Sequence, residues 1–373
     1  MLMINTLKVY DIDLTTRGPV FVGNGNELKK NEYFNVGRKK VVIPRLDMMY
    51  ADLVKMNRQK SYENYMLRNN MLGLGQWLRE ERISDDYIEK WKRYELDSGD
   101  VIPERGRQLQ IMTCIKDPYG NPYIPGSSFK GMLRTILLAY DIRKNSDKYS
   151  QLKYEIERTI KTEQHPKRTE FLSRQGKSVE VSAFNTLQRL DTKKSDAVND
   201  FMSGLIVSDS DPLSIDNLTL CQKIEHHVEG RDKNLNLLRE CIKPGIRIHF
   251  TMTIDTSLCK LNDRDIMSAI SDFATVYYDM FLCKYKKSNR PDDNTVWLGG
   301  GAGFVSKTVI YSLFGDEGIE LVPDIFAKTG VPKDHKHNRD RSLGVSPHIL
   351  KLTSYRGKMY EFGKCSVKIT EKK

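Results

Sequence analysis

The stretch 123–135, YIPGSSFKGMLRT, gathers residue types that can hold a phosphate. A proline and a glycine end an extended run, and Ser127 and Ser128 stand where a helix should open. Either serine can cap that helix. Its apolar positions Met132, Leu133, Ile136 and Leu137 repeat at helical spacing. The first amides of a helix lack internal partners and lie at the positive end of its dipole, so Gly126 lets an anion approach closely. Lys130 and Arg134 share a face near that opening. The arrangement suits an RNA backbone; it also suits an ordinary capped helix with a basic outer face.

A second glycine-rich run, WLGGGAGFVSKT, occupies 297–308. Two nucleotide-binding patterns miss it. G-x-G-x-x-G meets Phe304 at its last position when started at Gly299, and Ser306 when started at Gly301. The P-loop pattern started at Gly301 meets Ser306 where glycine is required. Bare backbone at Gly300 and Gly301 can lie flush against a phosphate or a base, with Lys307 adding charge beside it. A tight strand connection would use the same glycines. A third group comes from the strand over 245–255. There Arg247 and His249 alternate with Ile246, Ile248, Phe250, Met252 and Ile254. Period two means one buried face and one polar face, open to RNA or simply to water.

These residues need a folded scaffold, and the composition allows one. The 373 residues carry 60 Lys+Arg against 49 Asp+Glu, a net charge of +11. That balance favours a polyanionic partner, nucleic acid before an acidic membrane. The cations are spread along the chain, which favours a groove over a basic tail. Cysteines at 114, 221, 241, 259, 283 and 365 form no C-x-x-C pair and have no histidine at zinc-ligand spacing. No disulfide framework, metal or cofactor is expected. No segment approaches a membrane span or a signal peptide, so a soluble cytoplasmic protein is expected, away from membranes.

The elements read as a strand over 6–14, an irregular helical stretch over 46–97, and a strand over 107–115. The turn at 117–121 leads into the glycine-serine helix. A polar, helical or mobile stretch over 145–200 is followed by strands at 204–208, 217–224 and 245–255. A helix over 262–283, a basic loop over 331–347 and a hairpin within 348–369 complete the chain. Stripped of insertions, the order is strand, helix, strand, strand, helix, strand. This is an α+β chain with a ferredoxin-like or RRM-like core. The core would span 1–310, interrupted at about 46–97 and 145–200, with a C-terminal extension over 311–373.

The pair YIPGSSFKGMLRT and LGGGAGFVSKT, in this order, resembles the signature of the RAMP superfamily of CRISPR-associated proteins. GPVFVGNG at 18–25, with Glu32 and Tyr33 after it, is similar to that superfamily's N-terminal loop. The Ser-Lys-Thr ending and YEFGKC at 360–365 are closest to the fifth-subunit family of the type III-A Csm effector complex. The resemblance implies a RAMP fold and a non-catalytic subunit that binds crRNA. It would cap the complex backbone near the crRNA 3′ end and be needed for crRNA maturation in antiviral defence. Its partners would be crRNA, target RNA, other Csm subunits including the adjacent backbone RAMP subunit, and a separate maturation ribonuclease. Gly126, Ser127, Ser128, Lys130 and Arg134 would face crRNA phosphates, and Gly300, Gly301 and Lys307 would line the same surface.

The alternative is a RAMP endoribonuclease acting on crRNA precursor or target RNA. Metal-independent cleavage needs a general base near the 2′-hydroxyl. No histidine precedes His165, so the N-terminal loop has none. His226, His227, His249, His335, His337 and His348 show no partner at a fixed offset, and surface or RNA-contacting roles are expected. Asp47 is the nearest aspartate to a target-cleaving residue, and it more simply caps a helix starting at Met48. Asp209, Asp211 and Asp216 lack the pattern of a calcium loop. No catalytic residue is assigned.

Overall fold

The computed structural model describes residues 6–37, 39–67, 72–101, 109–164 and 166–372. Strict alternation builds its first sheet. In Leu7–Thr16 the side chains of Tyr10, Ile12 and Leu14 are buried while Asp11 and Asp13 look outward. This strand pairs antiparallel with Arg247–Asp255, setting Ile12 opposite Phe250 so that two apolar stripes coincide. Leu205–Val207 lies beyond Arg247–Asp255. On the other side come Lys364–Glu371 and then Thr295–Trp297, and every pair in this sheet is antiparallel.

Two long helices cover the apolar face. Gly126–Lys144 buries Phe129, Leu133 and Ile136; Asp263–Met280 buries Ile266, Ile270, Phe273 and Tyr277. The rings of Phe129 and Phe250 meet with centroids 5.1 Å apart. Asn262 and Asp265 close a capping box at the start of the second helix. Each fully buried large side chain contributes roughly 1.5–3 kcal/mol, so this layer contact outweighs any surface ion pair.

A second sheet was largely hidden in the sequence. Its order is Gly23–Leu28, Gln110–Cys114, Asp232–Ile242, Leu218–His227, Lys92–Asp97, Lys40–Pro44, Phe34–Val36. Ile349–Tyr355 also pairs with Leu218–His227, and Lys358–Glu361 pairs with Ile349–Tyr355. The stretch 46–97, expected to stay out of the sheets, ends in a strand: Lys92–Asp97 is hydrogen-bonded to Lys40–Pro44. Its helices Leu46–Lys55, Gln59–Leu67, Leu74–Glu80 and Asp85–Trp91 enclose a small core of their own around Met49, Leu53, Tyr62, Trp77 and Trp91. The stretch 145–200 behaves differently. Its helices Ser146–Thr162 and Ser173–Phe184 send Tyr149, Ile156, Ile160, Val179 and Phe184 into the principal core.

The boundary expected at 310 does not separate an extension from the core, because Lys364–Glu371 lies inside the first sheet. The expected terminal hairpin is three strands, of which only the first two pair with each other. The start of the strand expected at 107 falls outside the described residues, as does His165. Among the described residues no helix is long and apolar enough to cross a membrane.

Candidate nucleic-acid interface

The helix Gly126–Lys144 opens in another way than its serines suggest. Pro125 takes the N-cap position and neither Ser127 nor Ser128 caps. Instead the Gly126 amide donates to Asp209 Oδ1 at 2.9 Å. A Cβ at 126 would stand 2.2 Å from the Val207 carbonyl oxygen and 2.4 Å from that of Ser208. The glycine therefore permits close packing on the neighbouring strand, and the positive end of the helix already meets a carboxylate. Lys130 Nζ donates to the carbonyls of Met202 at 2.8 Å and Leu205 at 2.6 Å. Arg134 donates to Glu180 at 3.0 Å and Asp200 at 2.7 Å, with its guanidinium 4.0 Å from the Phe184 ring centroid. These two cations fasten the helix to the segment after it. Ser127 stays exposed.

The glycine loop packs against the N-terminal loop. Gly300 N–H donates to Phe21 O at 2.7 Å, and a Cβ at Gly299 would lie 2.2 Å from that same oxygen. The Gly300 amide, expected to face a phosphate, is thus taken by protein. Gly301, at φ +98°, opens onto other groups: a Cβ there would stand 3.2 Å from the Phe362 ring and 3.3 Å from Arg239 Nη1.

Arg239 was not visible as a site residue in the sequence. It comes from Asp232–Ile242 and sits 5.2 Å from the Phe21 ring centroid and 5.8 Å from that of Phe362. It is 9% exposed, yet among the described residues its Nε and Nη1 find no acceptor. Lys223 and Lys351 stand on strands beside it, and Lys307 follows the loop. Burial first, then the charges of Lys351 and Arg239, push the Lys223 amine down to about 8. The enclosed position of its amine, then Arg239, lowers Lys307 as well. Lys351 pairs with Glu225 at 2.5 Å. Among the described residues, four cations therefore crowd one glycine turn, and Glu225 is the carboxylate paired with them. A planar guanidinium with unfilled donors matches a phosphate in geometry and charge. No spacing in the chain points to Lys223, Arg239 and Lys351, since three strands bring them together.

The ends of the two motif stretches share a groove whose lining is otherwise largely apolar, with Leu138, Val179, Phe304 and Ile310. Thr135, Glu180 and Lys307 line a common groove of about 330 Å³, and Arg134 stands at its rim through Glu180. The polar face of Arg247–Asp255 is already matched. Arg247 Nη2 donates to Asp13 at 2.6 Å, and His249 Nε2 lies 3.2 Å from Asp11. Hydrogen bonding from Arg247 holds the Asp13 carboxyl below its usual range.

Asp47 caps nothing: the helix Leu46–Lys55 has Arg45 at its N-cap and Asp47 within its first turn. Residues 301–308 lead only to one turn, Val305–Lys307, and the short helix Ile310–Phe314, which offers no helix-borne phosphate cradle of the P-loop kind. His335 and His337, expected in a basic loop, lie on short helical turns, and His337 packs 4.6 Å from Phe326, ring centroid to ring centroid. The six cysteines are free, and only Cys283 is exposed.

The profile of the RAMP superfamily matches residues 13–319. A Mycobacterium tuberculosis protein (strain CDC 1551 / Oshkosh) named "CRISPR system Cms protein Csm5" is 30% identical, the match covering 97% of this chain and 98% of that one. A Streptococcus thermophilus protein of the same name is 26% identical over 94% of this chain and 89% of its own. In fold, the chain is similar to one from a Csm–crRNA–target RNA ternary complex of a type III-A CRISPR–Cas system, at a TM-score of 0.62 and 18% identity, covering 96% and 100% of the two chains. It is also similar to the crystal structure of T. onnurineus Csm5, at a TM-score of 0.59 and 17% identity, covering 95% and 99%.

Proposed function

Since the chain belongs to the RAMP superfamily and, within it, to the Csm5 family, we propose that it is a crRNA-binding subunit of a type III-A Csm effector complex. The observation that carries this reading is Arg239, a buried guanidinium with unfilled donors facing Gly301. A backbone phosphate would fill those donors, and Lys223, Lys307 and Lys351 would neutralise its neighbours. The groove toward Thr135 would continue the track, with Arg134 and Ser127 at its edge. Gly126, Ser128 and Lys130 would shape that edge from within. Arg247 and His249 would reach RNA only by leaving Asp13 and Asp11.

The fold supports the same reading. Taking Leu7–Thr16, Leu205–Val207, Arg247–Asp255 and Lys364–Glu371 as strands one to four, their spatial order is four-one-three-two. Helices follow the first and third, which supports assigning a ferredoxin-like, RRM-like core.

In this role the chain caps the complex backbone near the crRNA 3′ end. It contacts crRNA, target RNA and the adjacent backbone RAMP subunit in the cytoplasm. It is non-catalytic, and crRNA maturation falls to a separate ribonuclease. Filter binding of single-stranded RNA across salt concentrations tests the backbone-binding core of the proposal. With about five phosphates neutralised, the log–log slope should be roughly −3.5. A flat response rejects it. End-labelled RNA incubated with the protein, with and without divalent metal, should stay intact; discrete cuts would favour the endoribonuclease instead.

A further inference from the structure

We propose that His337, Asp340 and His348 form a binding site for a zinc-class divalent transition-metal ion. One donor atom from each lies within 4.8 Å of the others. Asp340 is fully buried, and its carboxylate meets His337 Nδ1 at 3.1 Å, His348 Nδ1, and Ser346 Oγ at 2.6 Å. Among the described residues no lysine or arginine pairs with it. A buried carboxylate is costly unless positive charge stands beside it. A divalent ion supplies that charge and takes the imidazoles as ligands.

The donors are held in place before any ion arrives. Tyr285 Oη donates to Pro347 O at 2.8 Å and Tyr311 Oη donates to Ser346 O, fixing the backbone on which His348 stands. Phe326 supports the His337 ring, and Phe304, next to the glycine loop, packs on Phe326 with centroids 4.9 Å apart. Two imidazoles and one carboxylate suit zinc and its neighbours rather than magnesium or calcium, which take oxygen donors. Three protein ligands leave a fourth position. His227, whose ring centroid is 5.4 Å from that of His348, and His335, 5.9 Å from His337, stand beside the cluster. Both line a cavity of about 280 Å³ that His348 also reaches. The ion would link the helical turns at 337–343 to His348, at the start of the strand Ile349–Tyr355.

The test uses the full chain, stripped with a chelator and dialysed. Calorimetric titration with Zn²⁺ should show one equivalent bound, and Co²⁺ should give the visible absorption band of a low-coordinate N/O site. Zn²⁺ should raise the melting temperature of the wild type. His348→Gln should weaken Zn²⁺ binding by more than about 100-fold, the most that loss of an outer hydrogen-bond partner alone would cause. If that variant fails to fold, His337→Gln, nearer the surface, should show the same loss. The proposal is overturned if the stripped wild type takes up no stoichiometric metal. It is equally overturned if folded variants bind as tightly as the wild type, which would mean adventitious surface ligands. It fails too if imidazole resonances show His348 doubly protonated and unchanged by added Zn²⁺, because an imidazolium would then balance Asp340.

Discussion

Two basic clusters, built from the same residue types, are in opposite electrostatic states. At the glycine-serine helix, Lys130 donates hydrogen bonds to two carbonyls, and Arg134 is held by Glu180, Asp200 and the Phe184 ring. At the glycine loop, Arg239 keeps two buried nitrogens without acceptors among the described residues, and burial lowers both Lys223 and Lys307. A cation's place along a helix does not reveal whether it is available. Partners decide that, and those of Lys130 and Arg134 arrive from 46 to 75 residues further along the chain. A cation buried short of partners is the one whose cost a ligand can offset.

The largest expected effect breaks the comparison on the helix side. Lys130→Met removes the donor to the Met202 and Leu205 carbonyls and leaves them partly buried. We expect a loss of about 1–3 kcal/mol in stability, read as a lower urea midpoint at unchanged slope. RNA affinity of the folded variant should stay within about twofold, a change below the tenfold per 1.4 kcal/mol that a real contact would register. A stable Lys130→Met protein that has lost RNA would show that the helix, and not the glycine loop, holds the strand.

The mirror experiment is Arg239→Met, which keeps an apolar stem between Phe21 and Phe362. Stability should hold or rise, since an unpaired buried charge is removed. RNA affinity should fall about tenfold, or about 1.4 kcal/mol. The salt slope should become shallower by about 0.7, one phosphate's worth for a single strand. Unchanged affinity and slope would remove Arg239 from the RNA track.

The contrast also explains what the sequence could show. The strand Arg247–Asp255 and the helix Asp263–Met280 were legible because their apolar periodicity is fixed locally, and Ile248, Phe250 and Met252 are all buried as their alternation requires. Asp232–Ile242 was not. It is polar at its exposed start and buried only from Leu238 onward, where neighbouring strands cover it on both sides, so no single period describes it. Gly299, Gly300 and Gly301 announced a tight backbone, but loop-to-loop packing and ligand contact ask for the same residue. His337 and His348 looked like surface histidines because Asp340, three residues after the one and eight before the other, joins them in no fixed motif. The two inserted stretches both read as helical in sequence. Only tertiary packing decided that one closes on Trp77 and Trp91 while the other joins the principal core.

The smallest expected effect is also the sharpest, because it separates crowding of charge from simple exposure. Lys223 loses its proton at about 8 in the free protein, pushed there first by burial and then by Lys351 and Arg239. A phosphate beside it would favour the charged form and draw the pKa back up. RNA binding would then take up protons, and affinity should fall as pH rises from 7 to 9, by about threefold and at most tenfold per unit. Folding stability should move the other way. The folded pKa lies below the unfolded value of 10.5, so between about 8 and 10.5 the unfolded chain binds more protons and stability rises with pH. Lys307, lowered by its enclosed position and Arg239, adds in the same sense. Lys223→Met should flatten most of the affinity curve from pH 7 to 9 without changing its value at pH 9. A wild-type affinity that is level across this range would mean that Lys223 titrates as an ordinary surface lysine, or that no phosphate comes near it; either outcome makes the two basic clusters alike.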